Sequence, residues 1–205
     1  MVKFPEPPTD LAGIAPTLFV QPKGTLVWRI YNAAGPYPTS WNTFRDYGPT
    51  KSRFDHHLDP ARVQNRGIVY GAERHFTCFA EVFQYDRTIY RFRHDPWLVA
   101  FSLVRDLTLL DLSGSWPTKA GASMAINTGP RPRARRWSRA IYAAYPKVQG
   151  LLYSSSMDGN KPAVALYERA RAALPARPMF NRALSDPALL PLVRAAAREF
   201  GYALV

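Results

Sequence analysis

Apolar positions along the chain fall either into short continuous runs or into a spacing near 3.6, and these divide it into strands and helices. TLVWRIY, Thr25 to Tyr31, is β-branched and aromatic and predicts a strand. GIVYGA, Gly67 to Ala72, predicts a short buried strand. Directly after it, Phe76, Phe79, Ala80 and Phe83 recur at i, i+3, i+4 and i+7, the stripe of an amphipathic helix. WLVAFSLV and DLTLLDL predict two more strands. PRARRWSRAIYAAYP predicts a helix with Trp137, Ile141 and Ala144 on one side and Pro146 beyond its end. GLLYSSSMDGN reads as a strand running into a polar turn, and KPAVALYER as another strand. ALLPLVRAAAREF is the body of a last helix, capped by Ser185 or Asp186 with Pro187 in its first turn; Pro191 delays its start.

The remaining stretches lack a period. Residues 1–23 hold Pro5, Pro7, Pro8, Pro16 and Pro22, which remove backbone donors and fix φ. They predict an extended arm leading into a domain that spans 24–205. NAAGPYPTSWNTFRDYGPTKSRFD predicts a long loop, and loops of that length are often functional. Strands occur in pairs as well as between helices, so the expected class is α+β with a mixed sheet and flanking helices, not a regular parallel α/β domain.

Helical phase raises a question about Glu81. At roughly 100° per residue it falls about 140° from the centre of the Phe76, Phe79, Ala80 and Phe83 stripe. Periodicity alone makes it a surface carboxylate. A helix packed by one face can also present its other face to a cleft, and both readings stand at this level.

Composition narrows the classes. The chain has 205 residues with 47% apolar and 20% charged, enough for a real core without disulfides or metal. A single cysteine, Cys78, excludes an internal disulfide framework and favours a reducing compartment. The N-terminal stretch lacks the layout of a signal peptide, and no stretch approaches a membrane span, so a cytoplasmic location is expected. The net charge of +12 attracts polyanions: nucleic acid, acidic partners or phosphate-bearing small molecules. Basic residues are spread out except in RPRARRWSR, Arg131 to Arg139.

Common signatures are missing: GxxxxGK[ST], GxGxxG after a strand, HExxH and CxxC. FDHHLDP sets His56 and His57 beside Asp55 and Asp59, but adjacent histidines in a strand point to opposite sides, which favours a polar loop over a metal site. Cys78 has no activating neighbour and reads as an inert thiol. Arg133, Arg135, Arg136 and Arg139 could hold phosphate or nucleic acid; with no nucleic-acid module beside them, a solvated helix face near a partner surface is the better reading.

The order and spacing of several short motifs resemble the RES domain, the toxin half of RES–Xre toxin–antitoxin systems, named for an Arg, a Glu and a Ser. VWRIY supplies Arg29, and GPTKSRFD supplies Arg53. GIVYGAERHFTCFAEVF supplies Tyr70 and Glu81. GLLYSSS supplies Ser155, with Ser154 and Ser156 as neighbours, and AVALYER matches the downstream apolar strand. The resemblance covers about Gly24 to Arg169. Ser154 stands where the family usually has proline, the loop between Arg29 and Arg53 is long, and the proline-rich arm has no counterpart.

The resemblance implies an ADP-ribosyltransferase-like split sheet and a toxin that consumes NAD+, as a phosphorylase or glycohydrolase. Modification of a cellular protein is the alternative outcome at the same site. It implies Glu81 and Arg29 as catalytic residues, and Arg29, Arg53, Tyr70 and Ser155 as substrate-binding residues. NAD+ enters as substrate, with no prosthetic group and no metal. An Xre-type antitoxin is the expected partner, with phosphate as a second small molecule and room for a homodimer within the toxin–antitoxin complex. No membrane or direct nucleic-acid binding is expected. The residue types suit the chemistry. Cleaving the nicotinamide–ribose bond builds positive charge on the ribose, which a carboxylate stabilises. Guanidinium groups grip a pyrophosphate, a tyrosine stacks on a flat ring, and a serine hydroxyl bonds phosphate or ribose. Read singly, each residue also has a structural explanation: an ion pair for Arg29, core packing for Tyr70, a turn for Ser155. A reading from another class, a non-enzymatic nucleic-acid-binding protein, requires the +12 charge to gather on one face.

Overall fold

The computed structural model describes residues 3–205. In chain order the strands are β1 (Leu18–Gln21), β2 (Leu26–Asn32), β3 (Arg45–Gly48), β4 (Arg62–Ala72), β5 (Thr88–Ile89), β6 (Pro96–Ser102), β7 (Leu107–Asp111), β8 (Gly150–Ser154), β9 (Pro162–Tyr167), β10 (Phe180–Ala183) and β11 (Ala203–Leu204). The helices are α1 (His75–Val82), α2 (Trp116–Lys119), α3 (Ala125–Thr128), α4 (Arg131–Ala144) and α5 (Leu190–Phe200). Nine strands form one sheet in the order β1-β7-β8-β9-β4-β2-β6-β10, with β3 on β4; β5 and β11 form a small parallel pair. Within the large sheet, among the described residues, only β7 and β8 run parallel. That pair needs a crossover, and α2, α3 and α4 supply it. This is the expected mixed α+β class.

The strands alternate between two apolar layers, which is why the sheet is buried on both faces. Leu98, Leu110, Leu151 and Tyr167 point into the layer covered by the helices, where Phe79, Trp137 and Val193 meet them. Val99, Phe101, Leu109 and Leu166 point to the opposite side, closed by Phe44, Ala170 and Ala173. Removing each such side chain from water stabilises the fold by roughly 1.5–3 kcal/mol.

Several expectations change. The loop between β2 and β4 contains β3, a strand too short and polar to show a period; it forms because β4 offers it an edge, pairing Arg45 with Ile68. β10 is likewise specified by its partner β6. The proline-rich segment is not a free arm. It contributes β1 to the sheet edge against β7, and buries Phe4 and Leu11 in the core. FDHHLDP is the expected loop, but its polar centre is not at the surface. Asp55, His56 and His57 are fully buried, and Asp55 is enclosed by donors. One of its oxygens lies 2.5 Å from His57 Nδ1; the other accepts from Arg45 at 2.9 Å and from the Thr50 amide and hydroxyl at 2.7 and 2.8 Å. At the C-terminal end, Asp186 caps a 3-10 turn at Pro187–Leu189, accepting from the Ala188 amide at 2.8 Å, and α5 begins only at Leu190 with Pro191 in its first turn.

Candidate active site

The site arises from a break in sheet pairing. β2 and β4 share one register pair, Trp28 with Ala72. They come close there because residue 71 is glycine: a Cβ would lie 2.6 Å from Val27 Cγ1 and 3.0 Å from the Trp28 carbonyl oxygen. Beyond that pair the strands part, β3 takes the edge of β4, and a cleft of about 580 Å³ opens between them. Small-molecule sites are typically of this size. Arg29, Arg53, Tyr70 and Glu81 all line it; Ser155 does not, while its neighbour Ser156 does.

Glu81 reaches the cleft because α1 follows β4 after only Glu73 and Arg74. The helix buries Thr77, Cys78, Phe79 and Ala80, and Phe83 is buried just past its end. Phe76, expected on the same stripe, is only partly buried and packs edge-on against His75. Asp158 anchors the start of the helix, accepting from the Thr77 hydroxyl at 2.6 Å and from Arg74 at 3.2 Å. The unburied side of the last turn then presents Glu81 to the cleft, which resolves the question of its phase.

The carboxylate is held at both oxygens. Ser155 is fully buried, and its hydroxyl accepts from the amides of Met157 and Asp158, each at 3.2 Å. Its single proton is therefore free to donate to Glu81 Oε1 at 2.6 Å. Gln84 Nε2 donates to Glu81 Oε2 at 3.1 Å and to the Glu81 carbonyl at 2.6 Å. Gln84 Oε1 in turn accepts from Arg131 at 2.5 Å. Neither Gln84 nor Arg131 stands out in the sequence. Gln84 lies just past a helix end, and Arg131 is only the first of the arginines in RPRARRWSR, distinguished by position at the N-terminus of α4.

The rest of the cleft is cationic. The Arg29 guanidinium donates to the Thr43 carbonyl at 3.2 Å. Burial lowers its pKa to about 10, so it remains charged at neutral pH. Arg53 donates to the Gly129 carbonyl, and burial together with the nearby Arg131 cation lowers its pKa, against the pull of Glu81. Among the described residues Arg29, Arg53 and Arg131 form no ion pair. Burial raises the Tyr70 phenol far above its usual range, so it is neutral; its hydroxyl lies near the Phe54 backbone but completes no hydrogen bond. Cys78 is buried, and burial raises its thiol strongly, in keeping with an inert side chain. The arrangement is suited to an anionic ligand with flat rings, and it sets a carboxylate beside that ligand.

The basic helix is less free than its sequence suggests. Arg136 forks onto Glu6 at 2.5 and 2.6 Å, Arg133 reaches the same carboxylate at 3.2 Å, and Arg139 pairs with Asp59 at 2.6 Å. The partner surface expected near this helix is in part the N-terminal segment itself. Internal pairing of this kind lowers the concentrated free charge that the nucleic-acid reading requires. Among the described residues no three His, Cys, Asp or Glu side chains are grouped to hold a metal ion, and no helix is long and apolar enough to cross a membrane.

A family model described as RES domain matches residues 26–186. Among solved structures, the chain is similar to one in the crystal structure of the M. tuberculosis MbcT–MbcA toxin–antitoxin complex, with a TM-score of 0.56 and 16% identity, covering 86% of this chain and 92% of that one. At that identity the likeness shows the fold. No curated protein matches the chain.

Proposed function

This chain belongs to the RES domain family, and on that premise we propose that it is the toxin of a toxin–antitoxin system and cleaves NAD+ between nicotinamide and ribose. The observation that carries the reading is the Glu81 carboxylate. It is fixed by Ser155 and Gln84, is unpaired with any cation among the described residues, and shares a cleft with Arg29 and Arg53.

In this reading Arg29 and Arg53 bind the pyrophosphate, and the Tyr70 ring stacks on a flat ring of the substrate. Nicotinamide leaves with the electron pair of the C–N bond and becomes neutral. Glu81 stabilises the positive charge that this leaves on the ribose. A phosphate or water oxygen then forms the new bond to the anomeric carbon; when water attacks, its proton passes to bulk solvent. Ser155 acts through Glu81, because its hydroxyl is committed to the carboxylate and to the turn at Met157 and Asp158. Its role as a substrate contact is thereby replaced by that of a positioning residue.

Arg29→Lys keeps the charge and loses the planar fork. KM for NAD+ is expected to rise about tenfold, the scale of one charge-assisted hydrogen bond, with a smaller rise for Arg53→Lys. Steady-state kinetics decide this, and an unchanged KM in Arg29→Lys removes that residue from the site.

The antitoxin is proposed to be an Xre-type protein. Expression of the chain alone is expected to stop growth and lower cellular NAD+, and co-expression with an Xre-type protein encoded beside it is expected to restore both. Growth arrest with NAD+ intact would discard NAD+ consumption in favour of target modification.

A further inference from the structure

Glu81 and Arg131 carry opposite charges, line the same cleft, and yet form no ion pair among the described residues. Gln84 stands between them. α1 stops at Val82, and Phe83 takes a non-helical conformation as its C-cap. The chain leaves the helix there, so the Gln84 side chain folds back over the last turn. One proton of its amide nitrogen goes to the Glu81 carbonyl at 2.6 Å and the other to Glu81 Oε2 at 3.1 Å. Its amide oxygen faces the Arg131 guanidinium at 2.5 Å. A neutral amide thus offers a donor to the anion and an acceptor to the cation without adding charge.

We propose that Gln84 is a positioning residue that holds Glu81 and Arg131 apart, leaving the carboxylate available to the positive charge that develops on the ribose and the guanidinium available to the anionic part of the substrate. Direct pairing of Glu81 with Arg131 would neutralise both groups and aim the carboxylate at the wrong centre. Opposite unit charges a few ångströms apart near a protein surface attract, so a neutral spacer has a definite force to oppose. Arg131 then joins Arg29 and Arg53 as a substrate-binding cation. The kinetic part of the inference rests on the NAD+ reading; the geometric part does not.

The test uses Gln84→Ala, alone and combined with Arg131→Gln, in the full chain. A crystal structure of Gln84→Ala should show the Arg131 guanidinium within 4 Å of the Glu81 carboxylate, the usual ion-pair distance. With NAD+, Gln84→Ala should lower kcat about ten- to a hundredfold, the effect of misplacing a catalytic group. Adding Arg131→Gln should recover most of that kcat while KM lies above that of the unsubstituted protein, a split that a purely structural defect does not produce. The unsubstituted protein and Glu81→Gln serve as controls: if the first leaves NAD+ intact the NAD+ reading fails, if the second retains turnover the catalytic role of Glu81 fails, and in either case the crystal structure alone decides the spacer role. A Gln84→Ala structure with Arg131 still apart from Glu81, or a double variant with no recovery of kcat in a turnover-competent background, overturns the proposal.

Discussion

Glu81→Gln is expected to lower NAD+ turnover by about a hundredfold or more, the scale seen on losing one electrostatic stabiliser of a transition state. The substitution preserves shape. The Ser155 hydroxyl can still donate to the side-chain oxygen, so the side chain keeps its direction. The other position becomes an amide NH2 facing the Gln84 amide NH2, so one hydrogen bond is lost. The expected cost to stability is about 1 kcal/mol, which leaves the protein folded. A large fall in kcat with a small shift in melting temperature therefore separates chemistry from folding. Turnover close to that of the unsubstituted protein would remove Glu81 from the mechanism.

Asp55→Ala should have the largest effect on stability, a loss of about 3–5 kcal/mol, because it strips the partner from Arg45 and His57 inside the fold. Burial pushes the Asp55 carboxyl up, but His57, Arg45 and Thr50 outweigh it and hold the group well below the usual carboxylate range. Nearby, Glu168 shows the same balance: burial raises it, and His56, Tyr142 and the Gly67 amide together bring it to about 2, from 4.5. Carboxyls with depressed values in the folded state add stability that is present above the unfolded pKa and is lost as pH falls through the folded one. His56 is lowered from 6.5, chiefly by burial, so the unfolded chain binds its proton first, and this too removes stability below that value. Melting temperature should thus decline gently below about pH 6.5 and steeply below about pH 4.5. Asp55→Ala should melt far lower at pH 7 and show a shallower acid limb. Chemical denaturation at several pH values measures both, and an Asp55→Ala protein as stable as the original at pH 7 would contradict the account.

How much of this was legible in the sequence depends on how local the cause is. β2, β9 and α4 announce themselves because their apolar residues contact the core at a regular period. Glu81 was placed on the correct side of α1 by phase, although Phe76 turned out to be peripheral. β3 and β10 were not visible, since four polar or mixed residues become a strand only where a longer strand offers an edge. The burial of Asp55, His56 and His57 was missed for a related reason: polar residues have no period, and only the tertiary arrangement of Arg45, Thr50 and Arg66 around them makes burial tolerable. Gln84 and Arg131 meet across 47 positions of sequence, and Ser155 and Glu81 across 74. The family motif placed Ser155 at the site, but its partner is the carboxylate and not the cleft. Glu6, among the prolines of the N-terminal segment, gave no sign that it would take up two arginines of α4.

The central claim is that the cleft between β2 and β4 cleaves NAD+. Its most direct test is incubation of purified protein with NAD+, with and without phosphate, followed by separation of the products. The account predicts release of free nicotinamide in many-fold excess over protein, with the ADP-ribose recovered as its phosphate ester or as the free sugar, and loss of that release in Glu81→Gln. Recovery of NAD+ intact from a folded, unsubstituted protein under both conditions would contradict it.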